Sequence, residues 1–318
     1  MKTISVVAPM YNEESLVNVY CEEMLKVADS LSDKYKFEII LVNDGSRDGT
    51  YAKMLEQHEA HPDNIAIVCL TRNFGLEGAV SAGLRSATGD AVIVMDADLQ
   101  DPPSLLPQMI TKWENGADVV TGSRIRRSND GLFKKAGAGF YYKVLGSLSG
   151  KVKLEKSAAN FRLLSRKACD MILSLPEVNS VFRVEVPFIG MKTDVVEYDR
   201  DKRYAGKTKY NLKSMIPYAL DSITGISIEP LRRIALLQII PLLLFIGSIV
   251  GMILTEDSFR SAWLVLFFAS ILVEVLLIAI CVMAEYIGQI MIEVKGRPTS
   301  LIYEYKPCKN TKTDNKGT

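Results

Sequence analysis

Short apolar runs alternate with longer amphipathic stretches over the first two thirds of the chain, and this alternation restricts the fold more than any other feature. The runs are Ile4–Ala8, Phe37–Val42, Ile65–Leu70, Ala91–Met95 and Asp118–Thr121. The stretches between them have the apolar spacing of helices. This order predicts an α/β fold with an open, mostly parallel sheet and helices on both faces. Ligands of such sheets bind at the carboxyl ends of the strands.

The octapeptide DADLQDPP, at positions 96–103, follows the fourth apolar run directly. It places Asp96 and Asp98 two residues apart where a buried strand ends. Carboxylate oxygens suit a hard divalent cation, Mg²⁺ or Mn²⁺. Such a cation can hold the two phosphates of a nucleotide-sugar and neutralise the leaving group. The alternative is a turn in which an aspartate and prolines open the next helix.

Polar clusters also follow the first three predicted strands, at positions 9–13, 43–46 and 71–73. Asp44, directly before Gly45, can accept hydrogen bonds from a uracil N–H or a ribose hydroxyl. An Asx-turn is the alternative, although Asp48 fits that role better. Glu13 could equally be a first-turn acid favoured by the helix dipole.

Two long apolar runs follow position 211. Ile234–Leu254 carries no charge, and Trp263–Met283 carries only Glu274. Each is long enough to cross a bilayer as a helix. The alternative is a pair of buried helices in a soluble core, but two such runs in tandem are rare there. Basic residues flank the pair on both outer sides, which predicts that the large domain and both termini are cytoplasmic. Glu274 is expected to face the partner helix or another subunit.

These features give a plan of four segments. We expect a catalytic domain over 1–211, amphipathic interface helices over 212–233, a transmembrane hairpin over 234–290 and a cytoplasmic tail over 291–318. Lys and Arg number 38 against 37 Asp and Glu, so charge gives no sign of a nucleic-acid partner, and none is expected. The five cysteines lack CxxC spacing and are expected to be reduced thiols.

Seven segments, taken together in their order and spacing, carry a family resemblance. They are PMYNEE (9–14), VNDGSRDGT (42–50), TRNFG (71–75), DADLQDPP (96–103), GSR (122–124), NFRLLSR (160–166) and RYAGKTKY (203–210). This set resembles the family-two glycosyltransferases, whose GT-A fold is Rossmann-like. It is most similar to the polyprenyl-phosphate branch, which includes bactoprenol glucosyltransferases and dolichyl-phosphate mannose synthases.

The resemblance implies a set of site residues. The nucleotide would be bound by Pro9, Tyr11, Glu13, Asp44 and Asp96, and the metal by Asp96, Asp98 and Gln100. The catalytic residues would be Asp98, Asn160 and Arg124. An acceptor phosphate would be bound by Arg124, Lys135, Arg203, Lys207 and Lys209. Basic side chains suit a phosphate acceptor. For Lys135 and its basic neighbours, a solvated or lipid-headgroup-facing surface is the alternative.

The resemblance also implies a function. The expected enzyme is an inverting, metal-dependent glycosyltransferase of the plasma membrane. It moves one sugar, of glucose or N-acetylglucosamine type, from a UDP-sugar to undecaprenyl phosphate on the cytoplasmic leaflet, for glycosylation of envelope polymers. A homo-oligomer is expected, with a tetramer suggested. The alternatives are a processive polysaccharide synthase, whose Gln-x-x-Arg-Trp motif is absent here, and a non-catalytic scaffold derived from a transferase.

Asn160 departs from the branch, which usually has aspartate at this position. The chain also offers no Glu-Asp pair before the membrane segments to act as a base. A phosphate monoester has its second pKa near 6, so it is already an anionic nucleophile at neutral pH. We therefore expect Asn160 to position the phosphate or the sugar without taking a proton.

Overall fold

The computed structural model describes residues 1–124, 158–176, 181–199 and 258–309. The strands are β1 (Lys2–Met10), β2 (Tyr35–Asn43), β3 (Ile65–Leu70), β4 (Ala91–Val94), β5 (Val119–Arg124), β6 (Ala158–Ser165), β7 (Thr193–Tyr198) and β8 (Ile302–Lys306). The helices are α1 (Glu14–Ser30), α2 (Thr50–Ala60), α3 (Gly75–Ser86), α4 (Leu106–Glu114), α5 (Arg166–Leu173), α6 (Phe182–Phe188) and α7 (Ser258–Lys295), with a 3₁₀ turn over Pro103–Leu105.

The described strands form one mixed sheet in the order β7-β5-β6-β4-β1-β2-β3-β8. β1 pairs in parallel with β2 and β4, β2 with β3, and β5 with β7. β6 runs antiparallel between β4 and β5, and β8 runs antiparallel to β3. The predicted α/β sheet is confirmed, and its antiparallel members are an addition to the prediction.

The central strands are apolar on both faces because helices cover both sides of the sheet. Ile39 and Leu41 belong to a core with α1 and α2, whereas Ile40 and Val42 belong to a second core with α3. All four side chains are fully buried. Near-continuous apolar strands of this kind are typical of parallel sheets, and each such side chain contributes about 1.5–3 kcal/mol.

Helix α7 is 38 residues long, and the predicted run Trp263–Met283 lies within it. Its Ile271–Lys295 portion, with a mean hydropathy of 2.3, is the one helix among the described residues that is long and apolar enough to cross a membrane. At 1.5 Å per residue, α7 measures about 57 Å, more than a hydrocarbon core of about 30 Å. The first predicted span and the interface helices lie outside the described residues, so the hairpin stays a prediction.

After α7 the chain adds a strand to the sheet. In β8, Tyr305 pairs with Val68 and Glu304 pairs with Cys69 of β3. The sequence analysis assigned this region to a tail and did not predict a strand there. A five-residue strand with exposed, mostly polar side chains has a weak local signal, and its position depends on the open edge of β3.

Candidate active site

The turn after β4 carries the two predicted metal ligands. Asp96, Asp98 and Gln100 are each half-buried. One oxygen of Asp98, Oδ1, accepts a hydrogen bond from the backbone N–H of Gln100 at 3.2 Å. Between them, Leu99 has a φ of +54°. The left-handed conformation costs a residue with a side chain about 1–2 kcal/mol, and such strain often marks functional turns.

The oxygen atoms of this turn suit a divalent cation whose remaining ligands come from a substrate and water. Among the described residues, no three His, Cys, Asp or Glu side chains are grouped as a complete metal site. Two carboxylates and an amide are oxygen donors of the type that Mg²⁺ and Mn²⁺ prefer. Mg²⁺ sites commonly use one or two carboxylates and complete the shell with phosphate oxygens and water.

A buried network fixes the last aspartate of the octapeptide. Asp101 is 1% exposed and accepts hydrogen bonds from Nη2 of Arg124, at 3.1 and 3.3 Å, and from the hydroxyl of Tyr198. The Nε of Arg124 also donates to the Tyr198 hydroxyl at 3.3 Å. Burial alone would lower the pKa of Arg124, but the charge of Asp101 and the interactions with the Tyr198 hydroxyl together outweigh it, and the pKa is raised.

This network joins the metal turn to the ends of β5 and β7. It also gives Arg124 a partner inside the protein, which the sequence analysis did not predict. The assignment of Arg124 to an acceptor phosphate stays a prediction. The other predicted phosphate ligands lie outside the described residues. They are Lys135, Arg203, Lys207 and Lys209.

A cleft of about 500 Å³ lies at the carboxyl ends of β2 and β3. Its lining residues are Tyr11, Asn43, Gly45, Ser46, Arg47, Tyr51, Cys69, Leu70, Thr71, Arg72, Asn73, Tyr303 and Glu304. Aromatic rings and two arginines therefore line one opening. A volume of this size is within the range of small-molecule sites.

Asp44 is buried beside this cleft and caps helix α3. Its Oδ1 accepts a hydrogen bond from the N–H of Phe74 at 2.7 Å, and its Oδ2 accepts one from Gly75 at 3.0 Å. Burial raises the pKa of Asp44 to about 6, although the two backbone bonds oppose the shift. The neighbours Asn43 and Gly45 line the cleft itself. The predicted contact of Asp44 with a nucleotide stays a prediction.

Two loops of the cleft touch at Gly45. This residue has a φ of +65°, and a Cβ there would lie 2.4 Å from the carbonyl carbon of Arg72 and 2.5 Å from the N of Asn73. Both the backbone conformation and the contact therefore require glycine.

Gly45→Ala is expected to lower stability by about 2 kcal/mol or more, because strain and a backbone clash add. We also expect weaker nucleotide binding, measured by titration calorimetry beside thermal melting. Gly116→Ala is the matched control, since Gly116 also has a positive φ, +91°, but the nearest atom to its Cβ would be 3.6 Å away. If both variants bound nucleotide like the parent chain, the loop contact would have no role in the site.

Asn160 lies on β6 and is 5% exposed. Its Oδ1 is buried and accepts no hydrogen bond from the described residues. A buried amide oxygen without a partner costs about 1–3 kcal/mol, so such an atom calls for a water or a ligand donor. This placement is compatible with a positioning role, which stays a prediction.

The remaining predicted residues lie at strand and helix ends. Pro9 is half-buried near the end of β1, opposite Val42. Glu13 precedes α1, and its backbone N–H donates to Oγ1 of Thr50 at 2.9 Å. Asp48 accepts two hydrogen bonds from Thr50, which confirms its turn role.

Sequence reasoning missed Glu77, an acid on α3. Its Oε2 accepts the backbone N–H of Phe182 at 2.9 Å, while its buried Oε1 has no partner among the described residues. Burial raises the pKa of Glu77 to about 7. In the sequence it looks like an ordinary acid in the first turn of a helix, so no local signal distinguishes it.

Comparison with known proteins gives one family and several full-length relatives. The model of "Glycosyl transferase family 2" matches residues 5–173. The chain is 36% identical to an uncharacterized glycosyltransferase of Bacillus subtilis, over 94% of this chain and 92% of the relative. It is 37% identical to the bactoprenol glucosyl transferase of Shigella phage SfII, over 94% and 97%. It is 36% identical to a prophage bactoprenol glucosyl transferase homolog of Escherichia coli, over 95% and 99%.

Solved structures give a more distant likeness. Glucosyl-3-phosphoglycerate synthase from Mycobacterium tuberculosis, in complex with Mn²⁺, UDP-glucose and phosphoglyceric acid, is 19% identical with a TM-score of 0.48. The match covers 70% of this chain and 78% of that one. A likeness at this level does not bear on the substrate.

Proposed function

Because the chain belongs to glycosyl transferase family 2 and to its polyprenyl-phosphate branch, we propose that it transfers one glucose from UDP-glucose to undecaprenyl phosphate. One observation carries this proposal. The similarity to bactoprenol glucosyl transferases extends over 94–95% of the chain. It therefore includes the apolar helix, and not only the family domain at 5–173.

The donor diphosphate is proposed to bind at the turn after β4. Asp98, with Asp96 and Gln100, would hold a divalent cation there, and that cation would supply the charge that neutralises departing UDP. Leu99 of this turn has a positive φ, and strained backbone of this kind clusters at ligand-binding and active sites. The nucleoside part is proposed to occupy the cleft beside Tyr11.

The acceptor reacts without a protein base. Its phosphate monoester is an anion at neutral pH. One phosphate oxygen forms the bond to the anomeric carbon, the bond from that carbon to UDP breaks, and UDP leaves with the electron pair. Attack from the opposite side inverts the configuration and gives a β-linked product. Asn160 is proposed to position a reactant, and Lys135, Arg203, Lys207 and Lys209 to bind the acceptor phosphate.

The transfer is tested with radiolabelled UDP-glucose and UDP-N-acetylglucosamine, using undecaprenyl phosphate as acceptor and Mg²⁺ or Mn²⁺. A sugar linked through phosphate is released from the lipid product by mild acid. Transfer from UDP-glucose supports the proposal. Transfer from the second donor alone would correct the sugar, and no lipid product from either would contradict the function.

Asn160→Asp is expected to leave the rate within about tenfold of the parent, because no proton transfer depends on this position. The same assay at saturating donor measures it. A rise of several hundredfold would instead identify Asn160 as the site of a missing base. Asn160→Ala serves as the comparison, since it removes the buried amide and is expected to slow transfer.

The proposed enzyme is a multi-pass protein of the plasma membrane, with its catalytic domain and both termini in the cytoplasm and residues 255–261 outside. A cysteine at Ser258 should react with an impermeant thiol reagent in intact cells. Cys308 is only 3% exposed and is a poor reporter, so a cysteine at the exposed Lys309 should serve, with labelling only after lysis. Labelling of Lys309→Cys in intact cells would reverse the topology.

We also propose the four-segment plan, with one modification. The catalytic domain is 1–211, the interface helices are 212–233, the transmembrane hairpin is 234–290, and the last segment, 291–318, contains the strand β8. A homo-oligomer, with a tetramer suggested, is also proposed, and Glu274 is proposed to face a neighbouring helix or subunit. Light scattering of the detergent-solubilised chain tests this, because a monomer would contradict it.

A further inference from the structure

The strand β8 is attached to the part of the sheet that forms the cleft. Besides its pairing with β3, the carbonyl of Leu301 accepts the backbone N–H of Thr71 at 3.0 Å. The hydroxyl of Tyr51 on α2 donates to Oε2 of Glu304 at 2.7 Å. Thr71 and Tyr51 both line the cleft. The segment that follows the apolar helix is therefore bonded to two elements of the cleft wall.

Two side chains of β8 belong to the lining of the cleft, namely Tyr303 and Glu304. The hydrogen bond from Tyr51 lowers the pKa of Glu304, with a further contribution from Lys306. Its carboxylate is thus fixed and charged. Tyr303, in contrast, is 79% exposed, so one ring of the cleft lining presents its surface to solvent.

An exposed aromatic ring beside arginines suits a flat heterocycle with phosphates attached. Stacking of a base on an aromatic side chain depends on the ring faces and is strong even at sites open to solvent. Arg47 and Arg72 in the same lining supply positive charge. Single exposed aromatics are common on protein surfaces, but this one lines the cleft together with Tyr11, which follows β1.

We propose that Tyr303 stacks on the base of the donor nucleotide and is a binding residue of the donor site. This rests on the proposed function, which supplies the nucleotide. It means that the donor site is completed by a strand C-terminal to the apolar helix, outside the 5–173 region that the family model matches. Truncation before β8 would then remove part of the donor site.

The test is binding of UDP and of inorganic pyrophosphate to the full chain in detergent with Mn²⁺, by titration calorimetry. Tyr303→Ala should weaken UDP binding by about tenfold or more, the usual effect of losing a stacked ring. Tyr303→Phe keeps the ring and should bind UDP within about twofold of the parent. Pyrophosphate has no base, so its affinity should be the same in all three proteins.

Tyr305→Ala is the matched control. Tyr305 is an aromatic of the same strand, its hydroxyl donates to the carbonyl of Ser86 at 3.3 Å, and it is not part of the cleft lining. It should leave UDP binding unchanged. Unchanged UDP affinity in Tyr303→Ala, or an equal loss for UDP and pyrophosphate, would overturn the stacking role and leave the proposed function intact. A parent chain that binds no UDP would overturn both.

Discussion

Asp98→Ala is expected to reduce glycosyl transfer by about a thousandfold or more. A metal ion that neutralises a leaving diphosphate contributes several kcal/mol to the transition state, and this carboxylate is proposed to hold it. Folding should be retained, because Asp98 is only half-buried, in a turn after β4 where it accepts a hydrogen bond from the backbone N–H of Gln100. The radiolabelled assay and thermal melting measure the two effects separately.

Asp98→Asn and Asp170→Ala complete this experiment. The asparagine keeps an acceptor for the N–H of Gln100 but loses the charge, so it should be nearly as inactive as alanine. Asp170 has a side chain that is 61% exposed and only a surface ion pair with Arg166, worth little, so its loss should leave the rate unchanged. Near-normal transfer by Asp98→Ala at saturating Mn²⁺ would remove the turn from the active site.

Much of the fold could be predicted from the sequence because its central strands are apolar along their whole length. Ile65–Leu70 was predicted with the bounds that β3 has. The strands β6 and β7 were not predicted. β6 lies between β4 and β5, although it follows both in the chain, and no local pattern encodes such long-range pairing.

Some residues of the candidate site could likewise be predicted from the sequence, and others could not. The position of Asp96 and Asp98 at a strand end was predictable, since both the octapeptide and the preceding apolar run are local. Tyr303 was not, because its position depends on an edge strand that pairs with β3, which is far away in the sequence. The carboxylate of Asp44 was predicted to lie near the nucleotide, and the structure adds that it caps α3.

The contact between Asp101 and Tyr198 was also not predictable, since 97 residues separate the two. In the same network, the ion pair between Asp101 and Arg124 has the largest expected effect on stability. Asp101 is 1% exposed and the side chain of Arg124 is 26% exposed, so their charges are shielded from water by the same elements. Removing one member of a buried ion pair leaves the other without compensation, at a cost of about 3–5 kcal/mol.

Asp101→Ala is therefore expected to lower the melting temperature by about 6 to 20 °C, since 1 kcal/mol corresponds to about 2–4 °C in a domain of this size. Tyr198→Phe removes only a hydroxyl and should cost about 1 kcal/mol. Because the network holds the end of the turn after β4, Asp101→Ala should also raise the Mn²⁺ concentration needed for half-maximal transfer. If the role of Asp101 were purely structural, that concentration would be unchanged in the folded fraction. A melting temperature within 2 °C of the parent would contradict a large contribution of this ion pair to stability.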